Sequence, residues 1–410
     1  MSIILPFDII VQIIDTVGEN EDTNLLKELA LVSHCFHQIC SKHLFATVDL
    51  HEADPTWNLA SSKSGFVKLL KSRPDIVKHI RKLTYSVGYM HHEPTYLMSD
   101  DYLLTPILPN FLRTITRLNS LKITALSTMT WNEKNPSLTS AFLHLMHLPT
   151  IDHIDLSSIE NFPLSSLIPS VNLLRLNICN LEPLREEIVV QSEMMPKIRE
   201  FHNLDSPELT TMLLHAKRQD GRPAFNFMDL RRLSIFFEDK RNIRYFLQNA
   251  MLLERLQLSS VEYDQSHGFE GLHDILSASA ATIKVLDLTL SLYEDYDDGS
   301  INLPFERLCE ELEAMAGHNM LEALTLEVEI RRDETPDNIG FMIQNVEKVL
   351  VKPGWSALRQ VSFKVPVACC LVRDENLSEK LLSLLPDKYL NHISKLQSVA
   401  FSFSSYVVKC

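Results

Sequence analysis

Glycine is scarce in this chain, ten among 410 residues. No Gly-x-Gly-x-x-Gly turn and no Walker-type phosphate loop occurs, which leaves a nucleotide-binding doubly wound fold as the weaker alternative. A surplus of positive charge is also missing. Acidic residues outnumber basic ones 53 to 39, for a formal net charge of −14, and residues 1–50 alone carry seven acids against two bases. A general nucleic-acid binder needs a basic footprint to release counterions, so no nucleic-acid partner is expected. Long apolar runs are lacking too. The longest uncharged stretch, Asn135 to Ile151, contains two prolines and two histidines and falls short of the ~20 apolar residues of a spanning helix. The opening residues carry no basic leader and are interrupted by Pro6 and Asp8, so neither a signal peptide nor a membrane anchor is expected. Seven cysteines, an odd number, do not make a disulfide framework in a chain of this length. A reducing compartment, cytoplasm and/or nucleus, is the expectation.

Catalytic signatures fail on inspection. His34, Cys35, His37, Cys40 and His43 crowd one segment, but on a helix His34 and His37 share a side while Cys35 points elsewhere, and no second ligand pair follows at zinc-finger spacing. Asp295 to Gly299 starts like a calcium loop, yet its glycine falls at position five rather than six. His92-Glu93-Pro94 begins like a zinc-protease helix, but Tyr96 stands where the second histidine belongs. No Gly-x-Ser-x-Gly elbow, RING site or ubiquitin-transfer cysteine is visible. No enzyme, metal or cofactor is expected.

What the chain does have is hydrophobic content, 45%, enough to bury a large core. Pro6 is tolerated at the first turn of a helix, and Ile9, Ile10, Ile13, Ile14 and Val17 follow at spacings of three and four. Gly18 to Asn24 breaks the pattern, Leu25, Leu26, Leu29 and Val32 restart it, and Ser33 can cap a third helix carrying Phe36, Ile39 and Cys40. Three short helices cannot bury all of this stripe among themselves, so apolar surface is left for a partner.

From residue 80 onward a second pattern returns: apolar, two residues, apolar, one residue, apolar. Its ten copies are Ile80/Leu83/Tyr85, Leu118/Leu121/Ile123, Ile151/Ile154/Leu156, Leu173/Leu176/Ile178, Leu230/Leu233/Ile235, Leu253/Leu256/Leu258, Ile283/Leu286/Leu288, Leu321/Leu324/Leu326, Leu358/Val361/Phe363 and Leu396/Val399/Phe401. An eleventh, Ile198/Phe201/Asn203, breaks at its third position. Apolar residues separated by one lie on the same face of a strand. Helix-period stretches lie between the copies, at Glu208 to Lys217, Asn242 to Leu253, Phe269 to Ser279, Phe305 to Ala316, Phe341 to Leu350 and Leu377 to Leu385. A strand and a helix per unit, repeated, predict an α/β chain with parallel strands inside and helices outside. Phe45 to Leu50 predicts a strand that leads into the stack.

Residues 1–50, with Leu5-Pro6, the isoleucines and Val32-Ser33-His34-Cys35-Phe36, resemble an F-box. The body, 51–410, resembles a divergent, irregular leucine-rich-repeat horseshoe. The resemblance implies a three-helix module docked on a Skp-type adaptor through Leu5, Pro6, Ile9, Ile10, Ile13, Val32 and Phe36, with Phe36 departing from the commoner tryptophan. Through that adaptor the chain would join a cullin-RING ubiquitin ligase as a non-catalytic substrate receptor. The alternative is a repeat scaffold whose N-terminal helices only cap the solenoid. On a horseshoe, the strand residues that alternate with the buried ones face the concave side: Arg175, Arg232, Phe236 and Arg255, then the acidic Asp287 and Glu327. Residues 217–244 add eight basic side chains against four acidic. An acidic or phosphorylated target segment would pair with such arginines, with Phe236 as an exposed anchor.

Overall fold

The computed structural model describes residues 6–20, 22–51, 62–87, 107–131, 136–184, 189–190, 195–204, 207–262, 268–279, 282–292, 303–330, 336–368, 379, 389–390, 392–393 and 399–408. The chain divides into two compact units, one of residues 1–197 with 212–226, the other of 198–211 with 227–410.

The first unit opens with three helices, α1 (Phe7–Glu19), α2 (Thr23–Ala30) and α3 (His34–Leu44). Asp22 caps α2 by accepting from the Leu25 amide at 3.0 Å, and Ser33 caps α3 by accepting from the Phe36 amide at 3.3 Å. These side chains satisfy amide donors that the helix itself cannot. Five strands follow: β1 (Thr47–His51), β2 (Lys82–Val87), β3 (Ser120–Thr130), β4 (His153–Phe162) and β5 (Arg175–Pro183). They pair in parallel and in chain order. A two-residue pair, β6 (Val189–Val190) with β8 (Lys217–Arg218), belongs to the same unit.

The second unit contains β7 (Glu200–Asn203), β9 (Arg232–Phe236), β10 (Arg255–Glu262), β11 (Val285–Leu292), β12 (Ala323–Ile330), β13 (Gln360–Ala368) and β14 (Ala400–Val408), again parallel and in chain order. Its crossovers carry helices at Lys240–Asn249, Leu272–Leu276, Leu303–Met315 and Pro336–Leu350. A sheet that always grows at the same edge through right-handed crossovers must carry every crossover on one face. Along β9 and β12 buried residues alternate with exposed or partly exposed ones.

The repeated pattern sits in the core. In nine of the ten copies all three apolar residues are buried, from Ile80/Leu83/Tyr85 through Leu358/Val361/Phe363. In the tenth, Leu396 lies outside the described residues and Val399 and Phe401 are partly exposed, β14 standing at the edge of the sheet among the described residues. The broken eleventh copy is repaired locally: buried Asn203 donates to the Thr210 hydroxyl at 2.6 Å, so the polar side chain is not left unsatisfied inside.

Backbone hydrogen bonds stitch neighbouring repeats just before each strand. In the first unit the carbonyls of Ala46, Arg81, Asn119 and Asp152 each accept from two successive amides of the next repeat, as Asp152 does from Leu174 and Arg175 at 2.9 Å each. In the second, Arg199, Arg231, Glu254, Lys284 and Glu322 do the same. The pattern needs no particular side chain at these positions.

Candidate protein-docking surfaces

The helical module has a closed core of its own. Ile14, Leu26 and Cys40 are buried, and Ile10, Val17, Leu29, Ala30, Phe36, Ile39 and Leu44 pack on them. Burial pushes the Cys40 thiol pKa up. An ionic tie joins α1 to α3: Lys42 Nζ and His43 Nε2 approach the same Asp15 oxygen at 2.6 and 2.8 Å. Burial alone would raise the Asp15 pKa, but the hydrogen bonds and charges of Lys42 and His43 hold it below its ordinary value.

Outside this core lies a set of exposed apolar side chains: Phe7 (53% exposed), Ile9 (42%), Ile13 (49%), Leu25 (37%), Leu31 (87%) and Val32 (65%). Among the residues expected at an adaptor surface, Pro6, Ile9, Ile13 and Val32 are therefore solvent-facing. Ile10 and Phe36 are not displayed in the same way, since both pack into the module's interior. Leu5 lies outside the described residues. The split follows from helix geometry. At about 100° per residue, Ile10, Ile14 and Val17 fall within about 60° of one another, while Ile9 and Ile13 flank that arc on one side. Phe7 and Leu31 are additions that the stripe did not single out. Leu31 follows the last turn of α2, where no helical period applies.

The module also abuts the first repeat. Arg73, which binds Asp75 through Nε at 3.0 Å, approaches His37 Nε2 at 3.2 Å, and the Ala46 carbonyl accepts from the Arg81 and Lys82 amides. Among the described residues this contact uses α3 and the residues after it, and leaves Ile9, Ile13 and Val32 exposed.

On the strand faces, the three arginines expected to be available are each engaged within the chain. Arg175 pairs with Asp152 at 3.2 Å, Arg232 with Glu200 at 3.6 Å, and Arg255 with Asp287 at 2.7 Å. The Asp287 carboxylate is nearly buried behind Arg255 instead of being displayed beside it. Lys364 approaches Glu327 at 3.9 Å. Burial, together with the nearby Glu329 and Asp287 carboxylates, pushes the Glu327 pKa up against the opposing pull of Lys364. Phe236 is half-buried, level with Ser259 of the next strand, and is not a protruding anchor. In the second unit these pairs set a carboxylate beside each of Arg232, Arg255 and Lys364.

Asp295 to Gly299, His92 to Tyr96, Cys369-Cys370 and most of Leu377 to Leu385 lie outside the described residues. Among the described residues no group of three His, Cys, Asp or Glu side chains is placed to hold a metal ion, and no helix is long and apolar enough to cross a membrane. No family model matches the chain, and no curated protein matches it with significance.

Proposed function

We propose that this chain is a non-catalytic receptor: residues 1–50 act as an F-box-like module on a Skp-type adaptor, and the leucine-rich-repeat-like body holds a protein target. The observation that carries the reading is the exposed set Phe7, Ile9, Ile13, Leu31 and Val32 on a module whose own core is complete. Apolar side chains that fold no interior are the signature of a surface that buries them against something else. At about 25 cal/mol per Å2 of apolar area, covering several such side chains supplies a few kcal/mol toward association.

The mechanism is proximity. A target held beside a ubiquitin-conjugating enzyme meets it at an effective concentration on the order of millimolar for a short tether, without any acid, base or nucleophile from the receptor. The test is reconstitution. The full-length chain mixed with a Skp-type adaptor should elute as one stoichiometric complex, and the chain alone should transfer no ubiquitin. Transfer by the isolated chain would overturn the receptor reading.

The scaffold alternative is favoured by one observation, the packing of α3 against the turn at Pro74–His79. It assigns the helices a closing role only, and leaves the exposed Ile9 and Ile13 without a purpose.

A further inference from the structure

Within an acidic chain, the first unit carries one compact cluster of bases beside an apolar groove. The turn Pro74–His79 and the residues after it supply Lys78, His79 and Arg81, and the segment leading into β3 supplies Arg117. Lys78 and Arg117 are exposed. The acid of this turn, Asp75, is already held by Arg73 through Nε at 3.0 Å and through the second guanidinium nitrogen at 3.1 Å. Arg81 is fixed by donating to the Lys78 and Ile80 carbonyls at 2.8 and 3.1 Å, which points its charge at the same region. The bases feel each other. Burial and the Arg117 charge push the Arg81 pKa down, and burial with Lys78 and Arg81 pushes that of His79 down, with Asp75 opposing and Arg73 adding to the effect.

Beside this cluster lies an open groove of about 380 Å3 lined by Pro74, Asp75, Val77, Lys78, Phe111, Thr114 and Thr116, the one acid among them being the Asp75 that Arg73 holds. Its lining is mostly apolar, Lys78 is part of it, and Arg117 follows Thr116 directly. A groove of this size accepts one or two aliphatic side chains, and the bases beside it, which outnumber Asp75 among the described residues, favour carboxylates on the same segment.

We propose that this groove docks an acidic peptide segment of a partner protein, with an aliphatic side chain on Phe111 and flanking carboxylates on Lys78 and Arg117. A nucleic acid or an anionic membrane fits less well. Both would bring a broad negative surface against a chain of net charge −14, and neither supplies an aliphatic side chain for the groove. The site is separate from the exposed isoleucines of α1, and the inference does not depend on adaptor docking.

The test is fluorescence anisotropy of the full-length chain with three short labelled peptides: Glu/Asp-rich with a central Leu-Leu, the same with Gln/Asn in place of the acids, and the same acids with Gly-Gly. The first should bind, and should weaken steeply as salt is raised. The other two should each bind about tenfold more weakly or worse, since about 1.4 kcal/mol corresponds to a factor of ten. Lys78→Glu with Arg117→Glu, both at exposed positions, should lose the acidic peptide while the thermal unfolding curve stays unchanged. Thr116→Trp should block the groove without altering the charges. Equal binding of the neutral peptide, no binding by well-folded wild type, or tighter binding of duplex DNA or of phosphatidylserine vesicles would overturn the proposal.

Discussion

Gly18 shows how one missing side chain sets the interior of the helical module. A Cβ at this position would run into the His43 imidazole, and that ring holds Asp15 at 2.8 Å. Alanine normally improves a helix interior by about 1 kcal/mol over glycine. Here it forces the ring away from a charge-assisted hydrogen bond of about 1.5–3 kcal/mol. Gly18→Ala should therefore destabilise wild type by roughly 1 kcal/mol yet stabilise a His43→Ala background, a change of sign that paired urea titrations would read directly. Asp15 adds a pH signature. Its folded pKa lies below the ordinary value of 3.8, so the native state resists protonation more than the unfolded chain does. That stability is fully present above the unfolded pKa and is lost as pH falls through the folded one. Below about pH 4 the urea midpoint of wild type should drop faster than that of Asp15→Asn, and parallel curves would sink this assignment. None of this tie could be read from sequence, since Asp15 and His43 are brought together only by the crossing of α1 and α3.

At the scale of elements, the repeats were legible because burial and periodicity are the same fact in a strand: positions two apart share a face, and one face is covered by crossovers. Five of the six helix spans read from sequence fall where helices occur, as Phe305 to Ala316 against Leu303–Met315, with ends shifted by a few residues, while Leu377 to Leu385 lies mostly outside the described residues. Leu256→Ala in β10, fully buried, should cost about 2–5 kcal/mol. Leu252→Ala, four residues earlier and 46% exposed, should stay within about 0.5 kcal/mol. Similar costs at both positions in thermal or urea unfolding would mean that the register is wrong. Charge pairing was not legible at this scale. Arg255 and Asp287 are 32 residues apart, and only the register that sets Gln257 level with Asp287 puts the carboxylate within reach of the arginine one pair back. The stripe of α1 was legible as amphipathic, but its division into an inner arc (Ile10, Ile14, Val17) and an outer flank (Ile9, Ile13) depends on where α2 and α3 pack.

For the whole molecule, the account rests on a division of labour: a helical module with apolar residues to spare, and a repeat body whose strand faces and basic groove offer contact surfaces. The most direct measurement of its central claim is isothermal titration of the full-length chain with a purified Skp-type adaptor, beside the variants Pro6→Ala, Ile9→Asp and Ile13→Asp, with thermal unfolding of each recorded in the same buffer. Because Ile9 and Ile13 are exposed and outside the module's core, the account predicts that wild type binds, and that the aspartate variants lose at least about a hundredfold in affinity, roughly 3 kcal/mol, with unchanged unfolding midpoints. Failure of well-folded wild type to bind, or variants that unfold instead of merely losing the adaptor, would contradict it and leave these helices as the closing cap of the repeat stack.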